Sequence, residues 1–361
     1  MKRIKDILIL GLTFTVMMIA LESYIKWAFV MSVSHSDYDE TIGRIRRPNM
    51  RYVWNTEGLG VREYNSFGYL GPSYGKEKKD NTIRVALIGD SFVEGFQVFE
   101  RNHFRSVLER TLQSYFPDKT IEVLNFGRSG FNVCKMYCYQ QDFASQFSPD
   151  LYVYLIANED YVEFSSDPVL PTCNIVNDSL VLDYSFRESP YVQKYNRFKF
   201  LTQNFASLQI ARNCFALIQR GKLHKILLDI SYKANYQGIP ELNDSTVQYY
   251  ANLTSMLFDR LDPQRTMIFN RSEDSLIFEP IRDYYDQKSF VLHDIEDTIS
   301  VLVNSGIETR TWYSKHWNSE TKGLRGHWNY ESHNTIGIYL AKKIRRFIKR
   351  NGIVTEENSS P

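Results

Sequence analysis

Four groups of polar residues in this 361-residue chain stand at the ends of apolar runs, or just before an amphipathic one, and have the types that serine chemistry needs. The first is Gly89-Asp90-Ser91, closing the run Ile83-Arg84-Val85-Ala86-Leu87-Ile88. The second is Gly127-Arg128-Ser129-Gly130 after Ile121 to Phe126, and the third is Asn158-Glu159-Asp160 after Leu151 to Ala157. The fourth, Gly326-His327-Trp328-Asn329, comes late, just before an amphipathic stretch from about Thr335 to Lys349. A serine hydroxyl is a weak nucleophile until a base takes its proton, and the late imidazole is such a base. Turns of small residues leave backbone N–H groups free to hold an oxyanion, and an asparagine side chain adds a donor. The combination describes attack on an ester carbonyl. Gly-Asp-Ser by itself reads as a tight turn and helix N-cap, because aspartate and serine are favoured there. The ordered later groups turn the reading toward catalysis. The Gly-x-Ser-x-Gly nucleophile elbow does not occur.

The elements that must position these groups follow from the apolar runs. A short, mainly aliphatic run ending in glycine reads as a buried parallel strand, and open α/β sheets collect ligands outside the carboxyl ends of such strands. Strands over 83–89, 121–127 and 150–157 put three of the groups at one sheet edge. A helix from roughly Phe104 to Tyr115 is expected to begin near Ser91 and turn backbone N–H groups toward a developing oxyanion. Further along, the pattern predicts one helix around Leu201 to Arg220, a helix Ser245 to Leu261, a strand Arg265 to Asn270, a helix near Glu273 to Tyr285 and a strand Ser289 to His293.

With these residues in hand, the chain resembles the SGNH (GDSL-type) hydrolase and acyltransferase superfamily. Its four blocks occur here in order over roughly Asn81 to Arg350, with none between about Val162 and Pro263. Asn65-Ser66-Phe67-Gly68-Tyr69 resembles the segment found before the first block in envelope-anchored bacterial members. The resemblance implies an α/β fold, a three-layer αβα sandwich with a parallel flavodoxin-like sheet. It implies Ser91 as nucleophile, His327 as general base, and an oxyanion hole from the N–H groups of Ser91 and Gly130 and the side chain of Asn158. Gly130 is preferred to Gly127 because it follows Ser129, in the family's Ser-Gly position. His327 is preferred to His316, which opens an identical His-Trp-Asn triplet, because it directly precedes the last helix; His316 and His333 are then structural or cleft-lining. The activity implied is that of a serine esterase or O-acyltransferase on acyl, in particular acetyl, esters of a cell-envelope glycan, through an acyl-Ser91 intermediate.

Two positions depart from the family pattern. An aspartate usually lies two or three residues before the histidine, where it orients the ring; here those positions are Arg325 and Leu324. Ungapped counting from Pro149 puts Glu159 at the oxyanion asparagine position, where a carboxylate would repel the charge, whereas a one-residue shift restores Asn158. The shift is favoured because strand ends accommodate bulges. These departures support an alternative, a catalytically inactive module that binds glycan or scaffolds an envelope assembly.

The composition bounds the rest. The formal net charge of +1 argues against a nucleic-acid binder, which needs a concentrated basic face. Lys342, Lys343, Arg345, Arg346, Lys349 and Arg350 form a basic cluster that reads as the solvated face of the last helix. A basic start, Lys2, Arg3 and Lys5, precedes an apolar run from Ile7 that continues to Val30, with neither an evident cleavage site nor a lipobox cysteine. This reads as an uncleaved signal-anchor that puts the bulk of the chain outside the cytoplasmic membrane, periplasmic or at the cell surface. The expected organisation is an anchor at 1–30, a stem and N-terminal flap at 31–80, the main domain at 81–350 with an insertion at about 165–240, and a polar tail at 351–361. Of Cys134, Cys138, Cys173 and Cys214, an extracytoplasmic setting permits a Cys173–Cys214 bridge. No metal or cofactor is expected, because no His/Cys cluster has ligand spacing. The expected partners are an acylated carbohydrate or other ester and the membrane.

Overall fold

The computed structural model describes residues 2–28, 33–54, 59–162, 168–219, 243–272, 279–311 and 326–353. It divides into two units, one drawn from Met1–Ser36 and Pro190–Ala234, the other from Asp37–Ser189 and Asn235–Pro361.

The second unit holds all four polar groups. Short strands β1 (Ser36–Asp39), β2 (Gly43–Arg46), β3 (Arg51–Trp54) and β4 (Gly60–Glu63) pair as two small ribbons, β1 with β2 and β3 with β4. They precede β5 (Thr82–Gly89), a four-residue helix α2 (Ser91–Glu94), α3 (Phe104–Tyr115), β6 (Thr120–Gly127), α4 (Val133–Asp142) and β7 (Leu151–Ile156). A hairpin of β8 (Thr172–Val176) and β9 (Ser179–Asp183) follows. Helices α5 (Pro190–Asn204) and α6 (Ala206–Gln219) belong to the first unit, with α1 (Lys2–Trp27). The second unit then closes with α7 (Asp244–Phe258), β10 (Thr266–Asn270), α8 (Glu279–Gln287), β11 (Val291–Asp294), α9 (Glu296–Asn304) and α10 (Tyr330–Arg350).

Five of these strands form one parallel sheet in the order β11-β10-β7-β5-β6. Counted along the sheet's own strands from the β6 edge this is 2-1-3-4-5, the flavodoxin-like order, and the chain reverses direction across the sheet between β5 and β7. Alternation along each strand builds a core on either face. Ala86, Ile88, Leu124, Phe126, Tyr154, Ile156 and Ile268 pack with α4, α7 and α8. Val85, Leu87, Val123, Val153, Leu155, Met267 and Phe269 pack with α3, α9 and α10. The result is a three-layer αβα sandwich. Ser91 comes just after β5, at the carboxyl edge beside the reversal, where such sheets open a crevice.

Three sequence expectations change. The single helix over Leu201 to Arg220 is two helices broken at Phe205, because the Glu22 carboxylate accepts the N–H groups of Ala206 and Ser207 at 2.6 and 3.0 Å and so starts a new helix there. Cys173 bridges to Cys134 rather than Cys214: Cys134 on α4 faces β8 with a Cα separation of 5.8 Å, while Cys214 is exposed in the other unit. The Cys138 sulfur lies within 4.8 Å of both bridged sulfurs. The third change is that backbone N–H groups beside Ser91 come from α2, which begins at Ser91 itself, and not from α3. The start of the helix expected from Glu273 falls outside the described residues, and α8 begins at Glu279.

Candidate active site

Asp90 sets the local geometry of Ser91. Its carboxylate caps α2 by accepting the Phe92 N–H at 3.0 Å, so the chain turns from strand to helix at the serine. The hydroxyl is 3.5 Å from Asp90 Oδ2, too far for a useful hydrogen bond. It lies instead 2.8 Å from Nε2 of His327, which is 236 residues away in sequence. Both residues are partly exposed. With the ring proton on Nδ1, the serine hydroxyl donates to Nε2, the arrangement in which an imidazole receives the proton of an attacking hydroxyl.

His327 is held from its backbone. Its carbonyl accepts the Thr311 N–H at 3.0 Å, and the Asn329 N–H donates to the Thr309 carbonyl at 3.1 Å, an antiparallel bridge between the two segments. Asn329 also caps α10, accepting the Ser332 N–H at 3.1 Å, while the Ser332 hydroxyl donates to Thr309. The imidazole packs against the Phe92 ring at 4.6 Å between centroids, and the buried Trp328 lies 5.0 Å from the same Phe92 ring. Leu324 and Arg325, the two positions before the histidine where the family's acid would stand, lie outside the described residues, as does His316. His333 is buried in the first turn of α10, where Nδ1 accepts the Phe104 N–H at 3.1 Å and joins α10 to α3.

The second turn is fastened to the first. Gly127 is needed because a Cβ there would stand 2.3 Å from the Glu94 nitrogen, inside the backbone of α2. Glu94 is buried and accepts the Ser129 N–H at 2.8 Å and its hydroxyl at 2.5 Å, while Arg46 of β2 grips both carboxylate oxygens at 2.7 and 2.8 Å. Burial pushes the Glu94 carboxyl up, but Arg46, with Arg128 and Ser129, outweighs it and holds the group down at about 2. Gly130, next in the turn, is exposed with φ +81°, a conformation that favours glycine, and open space surrounds its Cα.

A guanidinium fastens the third turn. Asn158 to Tyr161 form one 3-10 turn after β7, in which Asn158 is buried and its N–H donates to Ser272 Oγ at 2.7 Å. Asp160 folds back to accept the Ala157 N–H at 2.8 Å. Arg271, just past β10, places Nη2 2.6 Å from Asp90, 3.1 Å from Asp160 and 3.3 Å from Glu159. Burial, and then the neighbouring Asp90 charge, push the Asp160 carboxyl well above its ordinary range against the pull of Arg271. One guanidinium therefore bridges the serine turn and the asparagine turn, and its Cζ lies 4.2 Å from the Phe92 ring centre. The sequence reading missed Arg271, Glu94 and Arg46. Arg271 carried the same signal as the other groups, a polar cluster Asn270-Arg271-Ser272 at the end of an apolar strand.

No protein-family model matches the chain, and no curated protein matches it. Solved structures do. One is a two-domain esterase active on acetylated mannans, at 11% identity over 78% of this chain and 52% of that one, TM-score 0.37. This chain thus spans about half the length of that protein. Another is the lipase/acylhydrolase from Enterococcus faecalis, at 10% identity over 77% of this chain and 100% of that one, TM-score 0.39. A third is an acetyl-xylooligosaccharide esterase from Geobacillus Stearmophilus, at 12% identity over 77% and 97%, TM-score 0.37. At these identities and scores the likenesses carry no residue assignment to this chain.

Proposed function

We propose that the chain is a serine-dependent acyl esterase or acyltransferase of the SGNH type. Ser91 Oγ attacks the ester carbonyl as its proton passes to His327 Nε2, forming the Oγ–C bond and a tetrahedral oxyanion. The N–H groups of Ser91 and Gly130 and the Asn158 side chain hold that charge. Collapse breaks the bond to the leaving alkoxide, which takes the proton from His327 and leaves an acyl-Ser91. Water or a sugar hydroxyl, deprotonated by His327, then accepts the acyl group, giving hydrolysis or transfer. The 2.8 Å contact between Ser91 and His327 carries this reading, because it joins the first and last polar groups across 236 residues.

The proposed substrate is an acetyl ester of a cell-envelope glycan, and the proposed setting is outside the cytoplasmic membrane. Two features support this. One is the Asn65-Ser66-Phe67-Gly68-Tyr69 segment. The other is α1, whose Arg3–Trp27 stretch is long and apolar enough to cross a membrane, with every residue from Arg3 to Leu21 exposed. The proposed organisation keeps the anchor at 1–30, the stem and flap at 31–80 and the SGNH-like domain at 81–350, working without metal or cofactor.

The test is p-nitrophenyl acetate turnover by the full chain in detergent, beside Ser91→Ala and His327→Ala. Each variant is expected to lose at least about 10⁴-fold in kcat. Turnover in the parent no higher than in Ser91→Ala, repeated with acetylated glycans, would instead favour the inactive binding module.

A further inference from the structure

The first unit carries an apolar surface that its own fold leaves uncovered. Every residue of α1 from Arg3 to Leu21 is exposed, a span of about 28 Å at 1.5 Å per residue, close to the thickness of a bilayer's hydrocarbon core. Cover begins only at Glu22 and Ile25. There the N-terminus of α6 meets α1 through the Glu22 carboxylate, and Lys26 donates to the Asn204 carbonyl at 2.8 Å. The α5–α6 hairpin therefore joins α1 at the level where an inserted helix leaves the hydrocarbon.

Both helices of the hairpin show apolar residues to solvent with the same spacing. On α5 these are Tyr191, Phe198 and Leu201, and on α6 they are Leu208, Phe215 and Ile218, each set at i, i+7 and i+10 on one helical side. Phe215 is 60% exposed, and Phe200, beside the α5 stripe, 71%. Between residues 190 and 219 there is no acidic residue, while Lys194, Arg197 and Arg212 are exposed. Exposed aromatics with basic and no acidic side chains are what a helix lying in a membrane interface presents, the rings entering the acyl boundary and the cations meeting anionic headgroups.

We infer that the α5–α6 hairpin lies on the membrane surface beside α1 and binds anionic lipid, so that the insertion is a second membrane contact. The inference rests on α1 being an anchor. The occupant is lipid because the hairpin meets α1 at Glu22 and Lys26, just past the exposed apolar stretch of α1, and its helices carry charge of one sign.

The exposed Cys214 on α6 allows a direct test, since the other free cysteine, Cys138, is buried. The full chain, labelled at Cys214 with an environment-sensitive fluorophore, is placed in vesicles of phosphatidylcholine with phosphatidylglycerol and lipids bearing a nitroxide on the upper acyl chain. Loss of fluorescence is expected, greater with phosphatidylglycerol, and the combined Lys194→Gln, Arg197→Gln and Arg212→Gln changes are expected to remove that preference. A second sample, Leu10→Cys in a Cys214→Ser background, reports on α1 with a mid-chain nitroxide. Quenching at position 10 without quenching at Cys214 overturns the hairpin contact and leaves the anchor standing. Quenching at neither overturns both. A Cys214 label that lipid does not quench, yet shielded from aqueous iodide, overturns the inference in favour of a protein covering the hairpin.

Discussion

Asn158 is buried against Ser272, while its neighbour Glu159 keeps 44% of its side chain exposed and turns its carboxylate to Arg271 at 3.3 Å. The environments separate two residues that the sequence left in competition for one position. A carboxylate already paired with a cation is a poor neighbour for an oxyanion, whereas a neutral amide side chain can donate to one. Asn158→Ala is therefore expected to lower kcat on p-nitrophenyl acetate by about 10²–10³, with KM changing little. Glu159→Gln is expected to leave kcat near that of the parent. If Glu159→Gln proves the more damaging change, the one-residue shift in the third turn is the wrong alignment and Asn158 loses its assignment. Arg271 works at the same scale but through others, as a positioning residue: by holding Asp90 and Asp160 it fixes both turns.

At the scale of elements, the three turns are held together by pairs that cross the fold. The Glu94 carboxylate on α2 receives the Ser129 turn on one side and Arg46 of β2 on the other. Both partners are nearly inaccessible, the Arg46 and Glu94 side chains being 10% and 2% exposed. Removing one leaves an uncompensated buried charge, which costs about 3–5 kcal/mol. Arg46→Met should lower stability in denaturant by an amount of that order and loosen the Ser129–Gly130 turn; an unfolding midpoint equal to the parent's would mean that Glu94 is held without it. This dependence on residue 46 was hidden in the sequence, because a salt bridge between elements leaves no local periodicity, whereas Arg271 stood in a polar cluster at a strand end like the other groups. The strands were legible for the opposite reason. Parallel strands buried on both faces are nearly continuous apolar runs, and β5, β6, β7 and β10 fall within a residue or two of where those runs predict them. The same logic failed at α5 and α6, where a carboxylate 184 residues earlier in the chain decides where the second helix starts. Cys134 and Cys173 likewise pair across 39 residues for reasons of packing that spacing does not express.

Taken as a whole, the second unit buries two histidines where its last helix meets α3, and this couples its stability to pH. The rings of His103 and His333 pack at 4.7 Å between centroids, each accepting a backbone N–H through Nδ1. Burial, then the charges of Arg62 and His327, bring His333 down to about 3, and Glu100 opposes that shift only weakly. Burial, then His333, Arg62 and Arg105, hold His103 well below its ordinary value. Both are neutral in the fold. In the unfolded chain each takes a proton below about pH 6.5, so stability falls as pH drops below that, for His333 by about 2 kcal/mol between pH 7 and 5. His293, half-buried and lowered to about 4, acts in the same direction. Asp160 opposes them: its raised carboxyl takes up a proton in the folded state first, which adds stability as pH falls. Glu94 and Glu100, both held at about 2, weaken the fold only below the ordinary glutamate value of 4.5. The window from about pH 6.5 to 4.5 thus belongs, among the described groups, to the histidines and to Asp160 and Asp142, whose carboxyl burial also raises. Denaturant unfolding of the full chain in detergent at about pH 7, 6 and 5 is expected to show a steeper loss in Asp160→Asn than in the parent, because the opposing group is gone. Adding His333→Asn, whose side-chain carbonyl can still accept the Phe104 N–H, should remove about 2 kcal/mol of that loss between pH 7 and 5 and leave the share of His103 and His293. A loss of equal steepness in all three proteins would mean that neither the buried pair nor Asp160 sets the acid response.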